Sequence, residues 1–261
     1  MRRLRDPNGG CPWDLEQNFK SIAPHTLEET YEVVEAIEQG DPQAMKDELG
    51  DLLFQIAFHA QMGKEAGLFD FDAIAAHVAD KMIERHPHVF GDRDAKTAGA
   101  VVANWETDKA VKRDAQAKAE NRATSALDGI STALPAILRA IKLQKRAAHV
   151  GFDWTDAKDI LAKIREEIDE LAAEIKTPEN GESITDELGD LFFAIINLAR
   201  RLDVDPEGAL RGTNRKFERR FREVETRVRA KGSKMEDTAL EDLENIWVAI
   251  KREEKRARKA G

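Results

Sequence analysis

The chain has one cysteine, Cys11, in 261 residues, so no disulfide can form within it, and this fits a reducing compartment. Aromatic residues make up only 6%, with a single tyrosine, while charged residues reach 35%. That balance argues against a sandwich or barrel and for helices with solvated faces. No apolar run approaches the roughly 18 residues of a membrane span, so no membrane partner is expected. The basic start, Met1 to Asp6, has no apolar stretch behind it. It therefore does not read as a signal peptide, and a cytoplasmic location is expected.

Positive charge is also scarce in one half. The net charge is −9, and residues 1–120 hold 14 Lys+Arg against 23 Asp+Glu, whereas residues 121–261 hold 27 of each. An acidic chain is a poor general nucleic-acid binder. A small polyanionic substrate finds better company in the second half.

What is present is a duplication. Asp47-Glu48-Leu49-Gly50-Asp51-Leu52 recurs as Asp186-Glu187-Leu188-Gly189-Asp190-Leu191. A second acidic pair precedes each copy, Glu29/Glu32 and Glu167/Glu170, with the next acid 16 or 17 positions further on. The pattern is one helical unit used twice, over residues 1–120 and 121–261. The expected fold is all-α, with no segment reading as a strand.

Helices are predicted from the spacing of apolar residues and from turn chemistry. Thr26 and Glu29 read as a capping box opening the first long helix. Asp41 and Pro42 open the next, near 42–66, followed by helices near 71–85 and 101–120. The Ala-, Lys- and Glu-rich stretch 114–128 reads as the linker. Helices near 135–149, 155–175, 183–202, 206–230 and 240–258 complete the second half. Thr177 to Gly181 reads as a short loop that turns two of them antiparallel. The second acid-bearing helix carries Leu188, Leu191, Phe192, Phe193, Ile195 and Ile196, and is expected to be largely buried.

Acids three apart on a helix share a face. Glu167/Glu170 can therefore face Glu187/Asp190, and Glu29/Glu32 can face Glu48/Asp51. Four carboxylates at a core edge cannot all stay ionised without cations. Hard oxygen ligands with no His or Cys nearby suit Mg²⁺, with Mn²⁺ as a substitute. A di-iron bundle would carry Glu-x-x-His where Asp51 and Asp190 stand. Glu28, Glu35 and Glu38 read as solvated helix charges, and Cys11 as structural.

These residues resemble the MazG nucleoside triphosphate pyrophosphohydrolases, in their tandem bacterial form. The E-x-x-E…E-x-x-D set is their shared signature. Further matches are Gly10-Cys11-Pro12-Trp13-Asp14, Leu27-Glu28-Glu29-Thr30-Tyr31-Glu32 and Arg85-His86-Pro87-His88-Val89-Phe90. Val150-Gly151-Phe152-Asp153-Trp154 and Lys216-Phe217-Glu218-Arg219-Arg220-Phe221 also match. The resemblance implies a homodimer, bundle-like on assembly, that uses Mg²⁺ and splits a nucleoside triphosphate into a monophosphate and pyrophosphate with broad base specificity. It also implies that the second unit is the catalytic one. His25 departs from the pattern, standing where a tyrosine is more usual.

Substrate positioning needs cations as well as acids. Lys163 lies one turn before Glu167, and Lys216/Arg220 are four apart; both match the family's phosphate-contacting positions. Trp247 and Lys251 form another such pair, and the indole could stack on a base. Arg85, His86 and His88 read as a capped helix end, with phosphate contact the alternative. His149 reads as a turn residue. Glu167, Glu170, Glu187 and Asp190 are the expected ligands, and one of them, or Glu166, the general base. Two alternatives stand beside this reading: a non-enzymatic helical scaffold, and a pyrophosphatase confined to dCTP or dUTP.

Overall fold

The computed structural model describes residues 1–176 and 181–260, and every regular element among them is a helix. These are α1 (Pro12–Glu16), α2 (Phe19–Gln39), α3 (Pro42–Glu65), α4 (Phe71–Arg85), α5 (Pro87–Phe90), α6 (Ala98–Ala119), α7 (Ala136–His149), α8 (Ala157–Glu174), α9 (Gly181–Arg201), α10 (Pro206–Ala230) and α11 (Leu240–Ala260). No described helix is long and apolar enough to cross a membrane. The chain divides into two compact units, Met1–Asp108 and Lys109–Gly261.

In the first unit, α2 and α3 pack as a helical hairpin. The helix α2 begins seven residues before the predicted capping box. Asn18 is the true cap: its side chain accepts the Lys20 and Ser21 backbone N–H groups, and Ser21 answers the Asn18 N–H. A proline, Pro24, follows the cap within two turns. It sits inside the helix and lacks only the N–H that would reach back to Lys20. Thr26 is then an interior residue, its hydroxyl on the Ile22 carbonyl and 3.0 Å from His59 Nε2. Gly40 closes the helix at φ 68°, where a side chain would be strained, and Asp41 caps α3 at once. The core is Ile22, Phe58 and Met62. Trp13 meets Phe58 edge-on, and the Arg5 guanidinium lies 5.5 Å above the Phe58 ring.

The stretch 114–128 is not a linker throughout. Residues 114–119 continue α6, because Ala, Gln and Lys are strong helix formers and Asp114 pairs with Lys118 one turn on. The chain leaves the helix only near Asn121, which takes a left-handed φ of 52°.

In the second unit, α8 and α9 pack together, α7 lies on α9, and α10 touches both α7 and α9. Of the expected turn between α8 and α9, residues 177–180 lie outside the described residues. Helices α10 and α11 share a core of Val224, Val228, Ile246 and Ile250. The Phe152-Asp153-Trp154 segment is tied to the end of α9: Arg200 donates to Asp153 and to the buried Asn197 side chain, and Arg201 donates to the Thr155 carbonyl. That fixes the entry to α8 against the helix its acids must face.

One expectation fails. Helix α9 is not largely buried within the chain. Only Ala194, Ile196 and Asn197 are fully covered, and Phe192 is 58% exposed. The same holds for α3, where Leu53 is 55% exposed. An apolar helix face reads as buried in sequence, but burial needs a neighbour, and these faces meet none among the described residues.

Candidate metal and nucleotide site

Helix α8 starts at its Asp156 cap and presents Lys163, Glu166, Glu167 and Glu170 within two turns of one another. Glu187 and Asp190 come from α9, three apart. Carboxylate oxygens of Glu167, Glu187 and Asp190 all lie within 4.8 Å of one another. Glu167 is buried, Glu187 half-buried and Asp190 exposed, so the cluster opens from the helix seam towards solvent. Glu170 stands outside this closest set but bears on it. Burial first, then the charges of Glu170, Glu167, Asp190 and Glu174, pushes the Glu187 carboxyl above its usual range.

The first unit repeats the arrangement. Oxygens of Glu29, Glu48 and Asp51 lie within the same 4.8 Å, and Glu32 flanks them. Burial and the neighbouring charges of Glu48, Glu29 and Glu28 push Glu32 upward. Both clusters are sets of hard anionic oxygens held close against their own repulsion. That donor set fits Mg²⁺ or Mn²⁺.

Two buried glutamines were not anticipated. Gln55 follows Asp51 by one turn; its Nε2 donates to Glu29 at 3.3 Å, while its Oε1 is buried without a partner. Gln144 on α7 donates to the Phe193 carbonyl at 2.8 Å, and its Oε1 is likewise unpartnered. Leaving such an oxygen unpaired costs about 1–3 kcal/mol. For Gln55 the only signal in the sequence was a glutamine inside a run of apolar residues.

The predicted cations are placed as follows. Lys163 Nζ lies 2.9 Å from both Glu166 and Glu167. Those hydrogen bonds, Glu167 first, hold its ammonium well above the usual lysine range. Lys216 is half-buried on α10. Arg220 donates to Glu254 of α11 through Nε and Nη2, at 3.0 and 2.8 Å, and lies 5.7 Å over the Trp247 ring. Trp247 also packs 5.4 Å from Phe217, at the margin of the α10–α11 core. One face of the indole is therefore committed to packing. Lys251 is exposed one turn beyond. Arg85 and His86 form the expected helix end: His86 Nδ1 lies 2.7 Å from the Met82 carbonyl, and the Trp105 indole donates to the Arg85 carbonyl.

An all-helical chain with two carboxylate clusters, each fit for a hard cation, defines a tandem protein suited to handling anionic ligands. The chain belongs to the family of the MazG nucleotide pyrophosphohydrolase domain, which matches it twice, over residues 17–90 and 156–225. It is 50% identical to the nucleoside triphosphate pyrophosphohydrolase of Escherichia coli (strain K12), over 97% of this chain and 95% of that protein. It is 41% identical to the nucleoside triphosphate pyrophosphohydrolase/pyrophosphatase MazG of Thermotoga maritima, over 96% and 92% of the two chains. Uncharacterized protein YabN of Bacillus subtilis is 41% identical over 98% of this chain, which spans 51% of that protein.

Glu254 generates a pH prediction. Its hydrogen bonds to Arg220, then Arg219, lower its carboxyl from an ordinary 4.5 to about 2. A depressed folded-state value means the pair stabilises the protein fully above pH 4.5 and progressively less as pH falls towards about 2. Glu254→Gln is expected to lower the Tm at neutral pH and to shrink the loss of Tm between pH 5 and pH 3. Thermal melts followed by circular dichroism across that range check it; an unchanged pH profile would count against the pairing.

Proposed function

We propose that this chain is a nucleoside triphosphate pyrophosphohydrolase, and that residues 121–261 form its catalytic unit and residues 1–120 a structural, regulatory or weakly active one. The observation that carries this is the convergence of Glu167, Glu187 and Asp190 in a domain of this family. Glu167, Glu170, Glu187 and Asp190 would hold a divalent cation, which when bound supplies charge at the attacked phosphate and makes water a better nucleophile.

The chain's own groups do the rest. A water attacks the α-phosphorus, the α–β anhydride bond breaks, and pyrophosphate leaves with the electron pair. One carboxylate takes the proton from the water. Glu166 suits this role, being next to Glu167 in the chain yet outside the cluster. Lys163 sits between Glu166 and Glu167 and can turn its ammonium to the phosphates without leaving the site. Lys216 and Arg220 extend the clamp along α10, with Glu254 holding the guanidinium in place. Trp247 offers an aromatic face that any base can use, which fits broad base specificity. Lys251 adds charge beside it.

The apolar faces of α3 and α9 support a homodimer. Each acid-bearing hairpin covers one side of its helices, and a second copy covering the other would complete a four-helix arrangement. A cytoplasmic location fits the intracellular supply of such substrates.

With a labelled triphosphate, hydrolysis is expected only with Mg²⁺ or Mn²⁺, with pyrophosphate as the first product; orthophosphate as the primary product would overturn the reaction class. Glu187→Ala or Glu170→Ala is expected to reduce turnover on the order of 10²-fold or more. Glu48→Ala should keep most of it, by steady-state kinetics on variants shown to be folded. The reverse ranking would move catalysis to the first unit. Light scattering at micromolar concentration is expected to return twice the 29.3 kDa chain mass. A monomer mass would remove the dimer.

A further inference from the structure

Glu254 holds two arginines rather than one. Arg219 Nε and Nη2 donate to its Oε1 at 3.3 and 2.8 Å, and Arg220 Nε and Nη2 donate to its Oε2 at 3.0 and 2.8 Å. The two arginines are neighbours on α10, and one carboxylate from α11 stands between them. Their surroundings differ. The Arg220 side chain is 20% exposed, lies 5.7 Å over the Trp247 ring and follows Lys216 by one turn. The Arg219 side chain is 56% exposed and lines a groove with Arg215, Arg222 and Thr226.

Charge balance gives this arrangement a use. Glu254 is ionised at neutral pH, because its two partners hold its carboxyl down at about 2. Arg220 and Glu254 alone would be a neutral pair with little pull on a phosphate. Arg219 takes one carboxylate oxygen and leaves the trio with one positive charge in surplus. The carboxylate meanwhile engages Arg220 through Nε and Nη2, which leaves the Nη1 end to meet a ligand. Another ion cluster on this helix pair is balanced the opposite way. Arg227 donates to both Glu223 and Glu253, one guanidinium against two carboxylates. The positive surplus therefore belongs to the cluster that holds Arg220 and not to the α10–α11 seam at large.

We propose that Arg219 and Glu254 are positioning residues for hydrolysis: Glu254 aims Arg220, and Arg219, without touching the substrate, cancels the charge that this aiming brings and so keeps Arg220 attractive to a triphosphate. The proposal rests on the reading of Arg220 as a phosphate contact given under Proposed function. It divides two roles in a way that packing alone does not. Loss of Arg219 weakens binding and spares the chemical step, whereas loss of Glu254 spares binding and slows the chemical step.

The test uses the full chain with Mg²⁺ and reads two quantities for each variant. One is kcat and KM with a nucleoside triphosphate. The other is the Kd for an analogue carrying a methylene in place of the α–β bridging oxygen. For Arg219→Gln, KM and Kd are expected to rise roughly fivefold with kcat retained, and the difference to shrink as salt is raised. For Glu254→Gln, the Kd is expected to hold or tighten while kcat falls roughly tenfold or more. In Arg219→Gln/Glu254→Gln, the second loss is expected to return the Kd to the wild-type value, because Arg220 regains its uncancelled charge. Circular dichroism confirms that every variant is folded at the assay temperature. An unchanged Kd for Arg219→Gln overturns the proposal, as does an unchanged kcat for Glu254→Gln. A weakening that persists in the double variant also overturns it, and would make Arg219 a direct phosphate contact. Absence of hydrolysis by the wild type would instead overturn the functional reading, and the analogue affinities would still decide the charge relation between Arg219, Glu254 and Arg220.

Discussion

Repulsion between carboxylates governs this molecule. In each unit, two helices pack so that acids from both converge on one place, and burial there makes each charge dearer than in water. Crowding shows directly in the upward pressure on Glu187 and Glu32. No helix hairpin needs acids at its seam for stability; alanines would pack there without the repulsion. The seam is therefore built around what would neutralise it. Lys163 already performs part of that task, spanning Glu166 and Glu167. The surrounding scaffold serves the same end. The Asp153–Arg200–Asn197 network locks the entry of α8 to the end of α9, so the two acid-bearing faces cannot slide past each other without breaking buried polar bonds.

The apolar faces make a second constraint. Helix α9 must present acids on one edge and large side chains on the other, because a period of 3.6 residues leaves no room for polar relief between them. Within one chain the partners are too few: α7 and α8 cover one flank, and Phe192 remains open. Exposed apolar area of this kind on a helical hairpin is the surface that association removes from water. A seam of acids and an uncovered apolar face are thus two consequences of one helix.

Much of this was legible in the sequence, because duplication turns a weak pattern into a strong one. The all-α class, the helix starts at Asp41 and Asp205, and three of the four acids expected to come together in each unit could be read from spacing alone. The start of α2 could not. Asn18 with Ser21 forms a cap that mixes backbone and hydroxyl partners, and Pro24 beyond it mimics a break. The end of α6 near 120 was legible too, and only the linker was drawn too wide, since an Ala- and Lys-rich segment suits a helix and a linker equally well. Gln55, Gln144 and Asn197 were hidden because a polar residue in an apolar run carries no label saying whether it binds backbone, arginine or ligand. The burial of α9 was overread for a simpler reason: hydrophobicity states a preference for leaving water and says nothing about which chain supplies the cover.

The two units are one pattern used twice with small changes. Both carry the paired acids, 16 and 17 positions apart from second to third, and in both an aspartate, Asp70 or Asp205, caps the helix after the acid-bearing one. One difference lies four residues before the first acid of each set, where Lys163 stands in one unit and His25 in the other. An ammonium fixed beside Glu167 is permanent, close and aimed into the site; an imidazole at the matching position leans on Trp13 and faces Glu28. A period of 3.6 residues puts that position one turn before the first acid and on the same face, so the exchange alters the charge set against the acids while leaving the helix that carries them intact.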